Sequence, residues 1–470
     1  MTGFFCRPAE RCHLWRLLAL AGAVLVSGCT RYQPSPLPGQ SGLANTLKEL
    51  KVDATTLGKT RPAEHEINLA DGLDLTDVAI VAVLNNPDIK ARRTQIGVAG
   101  AQLFAAGLLP DPRISASFDN PTDDLPGLVN GLGAGLAYEI VPLITRQARV
   151  DAARLEQSKL ILSLLWQEWQ VMQRARALAV RYQLEKQQLD VLHEILGLYR
   201  QRYRHSTRAL AAGDITIDVN GTDLTALLDT TSQINQLEQT HNRTGHSLHL
   251  MLGLQPDVKI LLQPIPSLAW PDVQTIRKQL ASLAQKRPDL LALKAGYQSQ
   301  EARVRAAVLA QFPSISVGFN RLRDTGNVQT NGISIGLTLP LFSGNRGAIA
   351  IERATRHRLQ TEYQARLAQT EVDADRLLDL HAIVARQQET LATYVPRLKE
   401  IVDKTRAAYQ KGDIDALTFL NMELTWISKR LEQIRLVQTQ WENSIALESI
   451  LALPGVRPTA PDIVDGSNPP

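Results

Sequence analysis

Cysteine is nearly absent from this chain of 470 residues: Cys6, Cys12 and Cys29 are the only three. All lie at the N-terminus, so no disulfide and no thiolate metal cluster can hold the body of the fold together. Aromatic residues make up 5% of the chain, which excludes a core built mainly on large aromatic plates. The longest N-terminal apolar run, Leu17 to Val26, is far short of the ~20 residues of a membrane-spanning helix. Charge is nearly balanced, 51 Lys and Arg against 47 Asp and Glu, so no nucleic-acid partner is indicated. Gly-rich phosphate loops, Ser-His-Asp spacing and Cys-rich zinc patterns are all missing. No catalytic residue, metal or cofactor is therefore expected.

What is present at the N-terminus is a processing signal. Arg7, Arg11 and Arg16 precede the apolar run, which ends in Val26-Ser27-Gly28-Cys29. Small residues before a Cys resemble a bacterial lipoprotein cleavage site, which implies cleavage before Cys29 and acylation of that residue. Loss of Arg7, Glu10, Arg11 and Arg16 takes +2 from the formal +4 and leaves a mature charge of about +2. Six segments are expected: a signal peptide over 1–28, a lipidated tether over 29–70, a first repeat over 71–258, a linker over 259–271, a second repeat over 272–455 and a tail over 456–470.

The two repeats are the main content of the sequence. Asn86 to Asn120 aligns without a gap on Arg287 to Arg321, with Pro87-Asp88 on Pro288-Asp289 and Ile114, Ser115 and Phe118 on Ile315, Ser316 and Phe319. Gly213-Asp214-Ile215 falls on Gly412-Asp413-Ile414. A repeat of this length is one duplicated unit, not a short-period solenoid. Each unit begins with a helical pattern. Thr76 is the expected cap of the first helix, Pro87 forces a break, and a second helix follows to about Gly107.

The period then changes to two. Arg113 to Phe118, Ser314 to Phe319 and Ile333 to Leu339 alternate apolar with small polar residues, as half-buried strands do. A return strand near Leu132 to Val141 slips out of phase at Val141, which predicts a bulge or a shifted strand end. Helical period resumes from Thr145 to about Arg208 and from Arg346 to about Gln410. Each of these runs is about 90–100 Å of helix at 1.5 Å per residue. Each ends at a Gly-Asp-Ile break and a return run, as in coiled-coil hairpins. The fold class is mainly α with a small β part.

Strands with one apolar and one small polar face suit a membrane barrel, or equally two soluble hairpins packed on helices. Four strands cannot close a barrel, and open edges are not tolerated in lipid; in a membrane, several chains must pool them, and three would give twelve. The order helix, hairpin, very long helix, Gly-centred tip and return helix, duplicated, resembles the TolC/OprM family of outer-membrane efflux ducts. The specific pieces are Asn86-Pro87-Asp88, Arg287-Pro288-Asp289, Thr338 to Gly344, and Tyr409 to Gly412 followed by Leu417 and Leu420. The resemblance implies a homotrimer, a trimeric 12-stranded β-barrel in the outer membrane on an α-helical barrel crossing the periplasm. It also implies a periplasmic adaptor and an inner-membrane pump as partners. Drug efflux, metal-ion efflux and type I protein secretion stay open, as does a non-conducting coiled-coil scaffold lipoprotein.

The resemblance assigns adaptor docking to the tips Gly213, Asp214, Ile215, Gly412, Asp413 and Ile414. It places the periplasmic aperture at Thr418, Phe419, Leu420 and Asn421. Where the family often carries an acidic ring, this chain has Thr418 and Asn421, so a hydrogen-bonded or apolar closure is expected. Asn220-Gly221 is expected to interrupt the first return helix. Arg200, Arg202, Arg204 and Arg208 read as a solvated basic face that can also meet acidic partners. His241, His246 and His249 share a helical face, but no Cys joins them and no metal site is assigned.

Overall fold

A computed structural model describes residues 32–52, 67, 71–123, 125–268 and 273–451. Cys29, the signal peptide and the tail lie outside these residues, as do residues 53–66 and 68–70 of the tether. The chain divides into two units, Met1–Leu43 and Ala44–Pro470. Within the first, residues 32–43 carry no helix or strand.

The second unit opens with α1 (Leu75–Asn85), whose residues from Asp77 to Asn85 are all buried. Its cap is Asp74, not Thr76: the Asp74 carboxylate accepts from the Thr76 and Asp77 backbone N–H groups, each at 2.7 Å. The Asp77 side chain accepts the Asp74 N–H in return. A carboxylate beside the helix N-terminus meets the unpaired N–H groups with a full charge, which a threonine hydroxyl cannot do. Asn86 breaks the chain before Pro87 and caps α2 (Pro87–Gly107) by accepting from the Ile89 N–H. Strands β1 (Arg113–Asp119) and β2 (Gly131–Glu139) follow, then α3 (Val141–Ala212) and α4 (Ile217–Leu252). Two short helices, α5 (Val273–Leu280) and α6 (Leu283–Lys286), lead to the second copy. That copy comprises α7 (Pro288–Leu309), β3 (Ser314–Arg323), β4 (Gln329–Thr338), α8 (Arg346–Lys411) and α9 (Ala416–Leu451). At 72 residues, α3 runs for about 110 Å.

The hairpins do not stay separate. Pairing of β2 with β3 joins them into one antiparallel sheet of order β1-β2-β3-β4. Of the two outcomes expected at Val141 the shifted strand end is present and the bulge is not, because β2 pairs without a gap from Gly131 to Glu139. Ile140 adds one more bond, N–H to the Ile315 carbonyl at 2.9 Å, and Val141 is already helical. The slip in phase marks the end of the strand, not a bulge within it.

Register separates the two faces. Ile315, Val317 and Phe319 lie opposite Leu337, Ile335 and Ile333, and next to Tyr138 and Leu136. The other face pairs glycine with a small polar residue. Ser115 faces Gly135, Ser117 faces Gly133, Ser316 faces Gly336, Ser334 faces Gly318, and Asn320 faces Gly332. A Cβ on any of these five glycines would come within 2.3–2.6 Å of the partner's side-chain oxygen. The polar side chains fold over bare backbone and would have to rotate away to admit a Cβ.

Away from the sheet, α3 packs on α1, α2, α4, α7 and α9. One core gathers Leu73, Val78, Val81, Ala175, Ala179, Leu248 and Leu252 around α1. Another joins Val191, Leu192, Ile195, Ile234, Leu424, Ile427 and Leu431 towards the tips. Among the described residues no helix is long and apolar enough to cross a membrane.

Candidate functional site at the hairpin ends

Both long helices stop at a left-handed glycine. Gly213 and Gly412 each have φ near +82°. Gly213 N–H donates to the Leu210 carbonyl and Asp214 N–H to the Ala209 carbonyl; Gly412 and Asp413 repeat this on Tyr409 and Ala408. These bonds satisfy carbonyls that a helix end otherwise leaves open. No atom lies within 4 Å of where a Cβ would stand on either glycine, so the conformation demands them and space does not. Asp214 and Asp413 are exposed, Ile215 and Ile414 half-buried.

Beyond the second tip, Asp415 starts α9. Its carboxylate accepts from the Thr418 N–H at 2.9 Å and the Thr418 hydroxyl at 2.6 Å. These bonds, the hydroxyl first, hold its pKa below the usual carboxylate value. Phe419 stacks on Tyr409 with ring centroids 4.8 Å apart. Leu420 is 3% exposed and belongs to the interior, so it lines no opening in this state. The Asn421 amide oxygen accepts from the Arg202 guanidinium of the first hairpin.

Arg202 is thus not part of a solvated face. Its Nε lies 2.6 Å from Asp223, whose side chain is 1% exposed. Arg200, Arg204 and Arg208 remain exposed as expected. The second hairpin has a comparable clamp, with Arg406 Nε donating to the buried Glu423 carboxylate at 2.9 Å. The helix α4 is also unbroken at Asn220-Gly221. The Asn220 amide donates to the Ser206 and Thr207 hydroxyls on α3 at 3.1 and 3.0 Å, which ties it to the first hairpin's outgoing helix.

Along the seam between α3 and α9 these contacts form a ladder. Its rungs are Arg176–Glu448, Arg181–Glu442, Gln188–Gln438, Glu194–Arg430 and Arg202–Asn421. The rung nearest the tips sets a charge against a neutral amide, whereas Arg430–Glu194 at 3.0 Å is a full ion pair. The acids Asp223 and Glu423 were legible as anomalies. Asp223 lies on the stripe of Val219, Leu227, Thr230 and Ile234, and Glu423 beside Leu420, Leu424 and Ile427. A charge on an apolar stripe requires a partner.

The three histidines do not converge. His241 stacks on Tyr182 at 4.3 Å, with Nδ1 3.7 Å from Glu185. Burial lowers the His241 pKa and raises that of Glu185. Both ring nitrogens of His249 face carbonyl oxygens, of Gly245 and Val258. No group of three metal-ligating side chains occurs among the described residues.

Two coiled-coil hairpins joined to one open-edged sheet make a fold shared with solved outer-membrane channels. Residues 280–453, the second copy, match the model of the outer membrane efflux protein family. It is 22% identical over 280 residues to the cation efflux system protein CusC of Escherichia coli K12, covering 57% of this chain and 61% of that protein. It is 21% identical over 286 residues to the probable outer membrane lipoprotein SilC of Salmonella typhimurium, covering 57% and 60%. The chain thus spans about three fifths of these curated relatives. The crystal structure of the Campylobacter jejuni CmeC outer membrane channel superposes with a TM-score of 0.66 at 16% identity, covering 92% of this chain and 95% of that one.

Proposed function

We propose that the chain is the outer-membrane channel subunit of a tripartite efflux pump, a passive exit duct for small solutes. The observation that carries this is the sheet: β1 and β4 are free edges, and one face exposes Ile114, Phe118, Leu136, Phe319, Ile333 and Ile335 together. Water penalises that face and lipid forbids those edges, so both call for further copies of the same sheet. Three copies close a 12-stranded β-barrel, with Ser115, Ser117, Ser316 and Thr338 towards a wet lumen. The helical part supports the same assembly. On α8, Ile351, Val372, Ile383, Tyr394 and Ile401 are exposed, as are Ile217, Leu224 and Leu228 on α4. These apolar stripes suit contact between neighbouring protomers in an α-helical barrel.

In this reading the protein is lipid-anchored through Cys29 and sits in the outer membrane with its tunnel in the periplasm. The tips Gly213 to Ile215 and Gly412 to Ile414 dock a periplasmic adaptor coupled to an inner-membrane pump. Opening begins at Thr418 to Asn421, where the rung nearest the tips sets Arg202 against a neutral amide. The relative named for cation efflux favours metal ions as cargo over other small solutes. No step of catalysis is assigned to the chain.

Conductance of the purified protein in planar bilayers tests the channel. Cysteines placed on β1 and β4 should cross-link into a trimer. A protein that stays monomeric in lipid and passes no current would be a scaffold, not a duct.

A further inference from the structure

The apolar face of β3 does not end in another apolar residue. Ile315, Val317, Phe319, Arg321 and Arg323 alternate onto one side, so the last two positions on the lipid-facing side are arginines. Their neighbours across the sheet are Ala134 and Leu132 on β2, and Asn331 and Gln329 on β4. None of these is an acid. Among the described carboxylates nearby, Asp324 accepts the Val328 N–H at 2.9 Å, and Asp119 pairs with Gly131 on the opposite face. Arg323 gives one bond, to the Asn130 carbonyl at 3.0 Å, and its Nε is buried without a partner. Arg321 reaches only the Gln329 amide oxygen, at 3.5 Å. Two guanidinium groups therefore stand side by side on an apolar surface with their charge uncompensated by any described carboxylate.

Their depth identifies what they meet. From Asn331, opposite Arg321, to Leu339 the strand climbs about 27 Å, or about 20 Å along the membrane normal at a tilt near 40°. Exposed Leu341 and Phe342, the latter 92% exposed, extend the apolar surface further at the helix end. That fills a band of about 25 Å and leaves Arg321 and Arg323 at its outer rim. A planar fork of N–H donors matches a phosphate better than any other headgroup chemistry. In the first copy the aligned positions are Asn120 and Thr122. The pair is thus one discrete patch per protomer, not a continuous ring.

We propose that Arg321 and Arg323 bind the phosphate groups of outer-leaflet lipid headgroups. This rests on the barrel reading, and the test separates the two. The full-length protein is reconstituted in neutral phosphatidylcholine vesicles, in the same vesicles with phosphorylated lipid A, and with dephosphorylated lipid A. Trimer dissociation temperature and lipid retained per trimer are read alongside conductance. Phosphorylated lipid A should raise the dissociation temperature over the dephosphorylated form. R321Q/R323Q should lose that rise and the retained phosphorylated lipid while still conducting, and R321K/R323K should keep part of both. Inorganic phosphate added to neutral vesicles should not reproduce the rise; if it does, the site is a free-anion site and the lipid assignment fails. An equal dissociation temperature for the wild type in the two lipid A vesicles, or an undiminished rise in R321Q/R323Q, overturns the proposal and leaves the barrel standing. A protein that neither trimerises nor conducts overturns both. Should the double variant fail to assemble, the wild-type comparison still decides.

Discussion

Replacing Ile335 with arginine tests the facing of the sheet directly. Ile335 is 73% exposed in the protomer and pairs with Val317 inside the apolar rows of β3 and β4. Arginine near the middle of a barrel's lipid face costs about 2–4 kcal/mol. Three copies in one barrel raise that to about 6–12 kcal/mol. Each 1.4 kcal/mol is tenfold, so the assembled fraction should fall by about four orders of magnitude or more. The control is Ser316→Arg on the neighbouring strand. Its side chain starts from the opposite face, beside Gly336, where the missing Cβ leaves a path into the lumen. That variant should assemble to within about 0.5 kcal/mol of the wild type and conduct less, because three guanidinium groups now stand in the bore. Heat-modifiable trimer in outer-membrane extracts reads assembly; bilayer recordings read conductance. Normal trimers of Ile335→Arg, or loss of trimers in Ser316→Arg, would refute the assignment of faces.

Other perturbations probe the hairpin ends. Asp223→Ala leaves Arg202 partly buried without its counter-ion and should cost about 3 kcal/mol; chemical denaturation checks this, and channel opening should become easier. Gly213→Ala and Gly412→Ala should each lose about 1–2 kcal/mol from left-handed strain alone. Gly253→Ala should lose more, since its Cβ would also lie 2.7 Å from the Asn85 carbonyl oxygen. Glu185 has a raised folded pKa, so its penalty is in full force above that value and is relieved as pH falls through it towards the ordinary carboxylate range. Glu185→Gln should therefore be more stable than the wild type at neutral pH, with the difference shrinking in acid. For Asp415 the sign is opposite: its depressed pKa stabilises above the ordinary carboxylate value and is lost as pH falls through the folded one. Thr418→Val should weaken that acid dependence, since the Thr418 backbone N–H bond remains.

Much of this architecture was legible because duplication states it twice. Strands β3 and β4 and the two glycine tips follow from period and spacing, and Pro87 marks the joint between α1 and α2. What local pattern missed is what depends on long-range pairing. The union of β2 with β3 joins residues nearly two hundred positions apart, and neither hairpin specifies it alone. The slip at Val141 left a bulge and a shifted strand end open, because period alone does not show that Val141 is already helical. Thr76 lies inside α1, and Asp74 caps it, with its own N–H donated to the Asp77 carboxylate. Asn220-Gly221 looked like a break because propensity disfavours both residues in a helix, yet Asn220 is held by Ser206 and Thr207 across the hairpin. At the proposed aperture, the sequence places Thr418 and Asn421 where the family resemblance implies an acidic ring. It did not show Arg202 arriving from the other hairpin to meet Asn421.

The serine hydroxyls lying over glycines have a consequence for what such a wall can recognise. Side chains there project little beyond the backbone, so strand number and tilt set the bore. Charge on this face is confined to its two ends, where Arg113 pairs with Glu139 at 2.9 Å and Asp119 lies opposite Gly131. In the proposed barrel the middle of the wall, hydroxyls and Cα hydrogens, offers no charge to attract one solute and no cavity to hold another, so its tolerance there is a matter of diameter. Enlarging one glycine, as in Gly336→Leu, would narrow the bore from three sides at once.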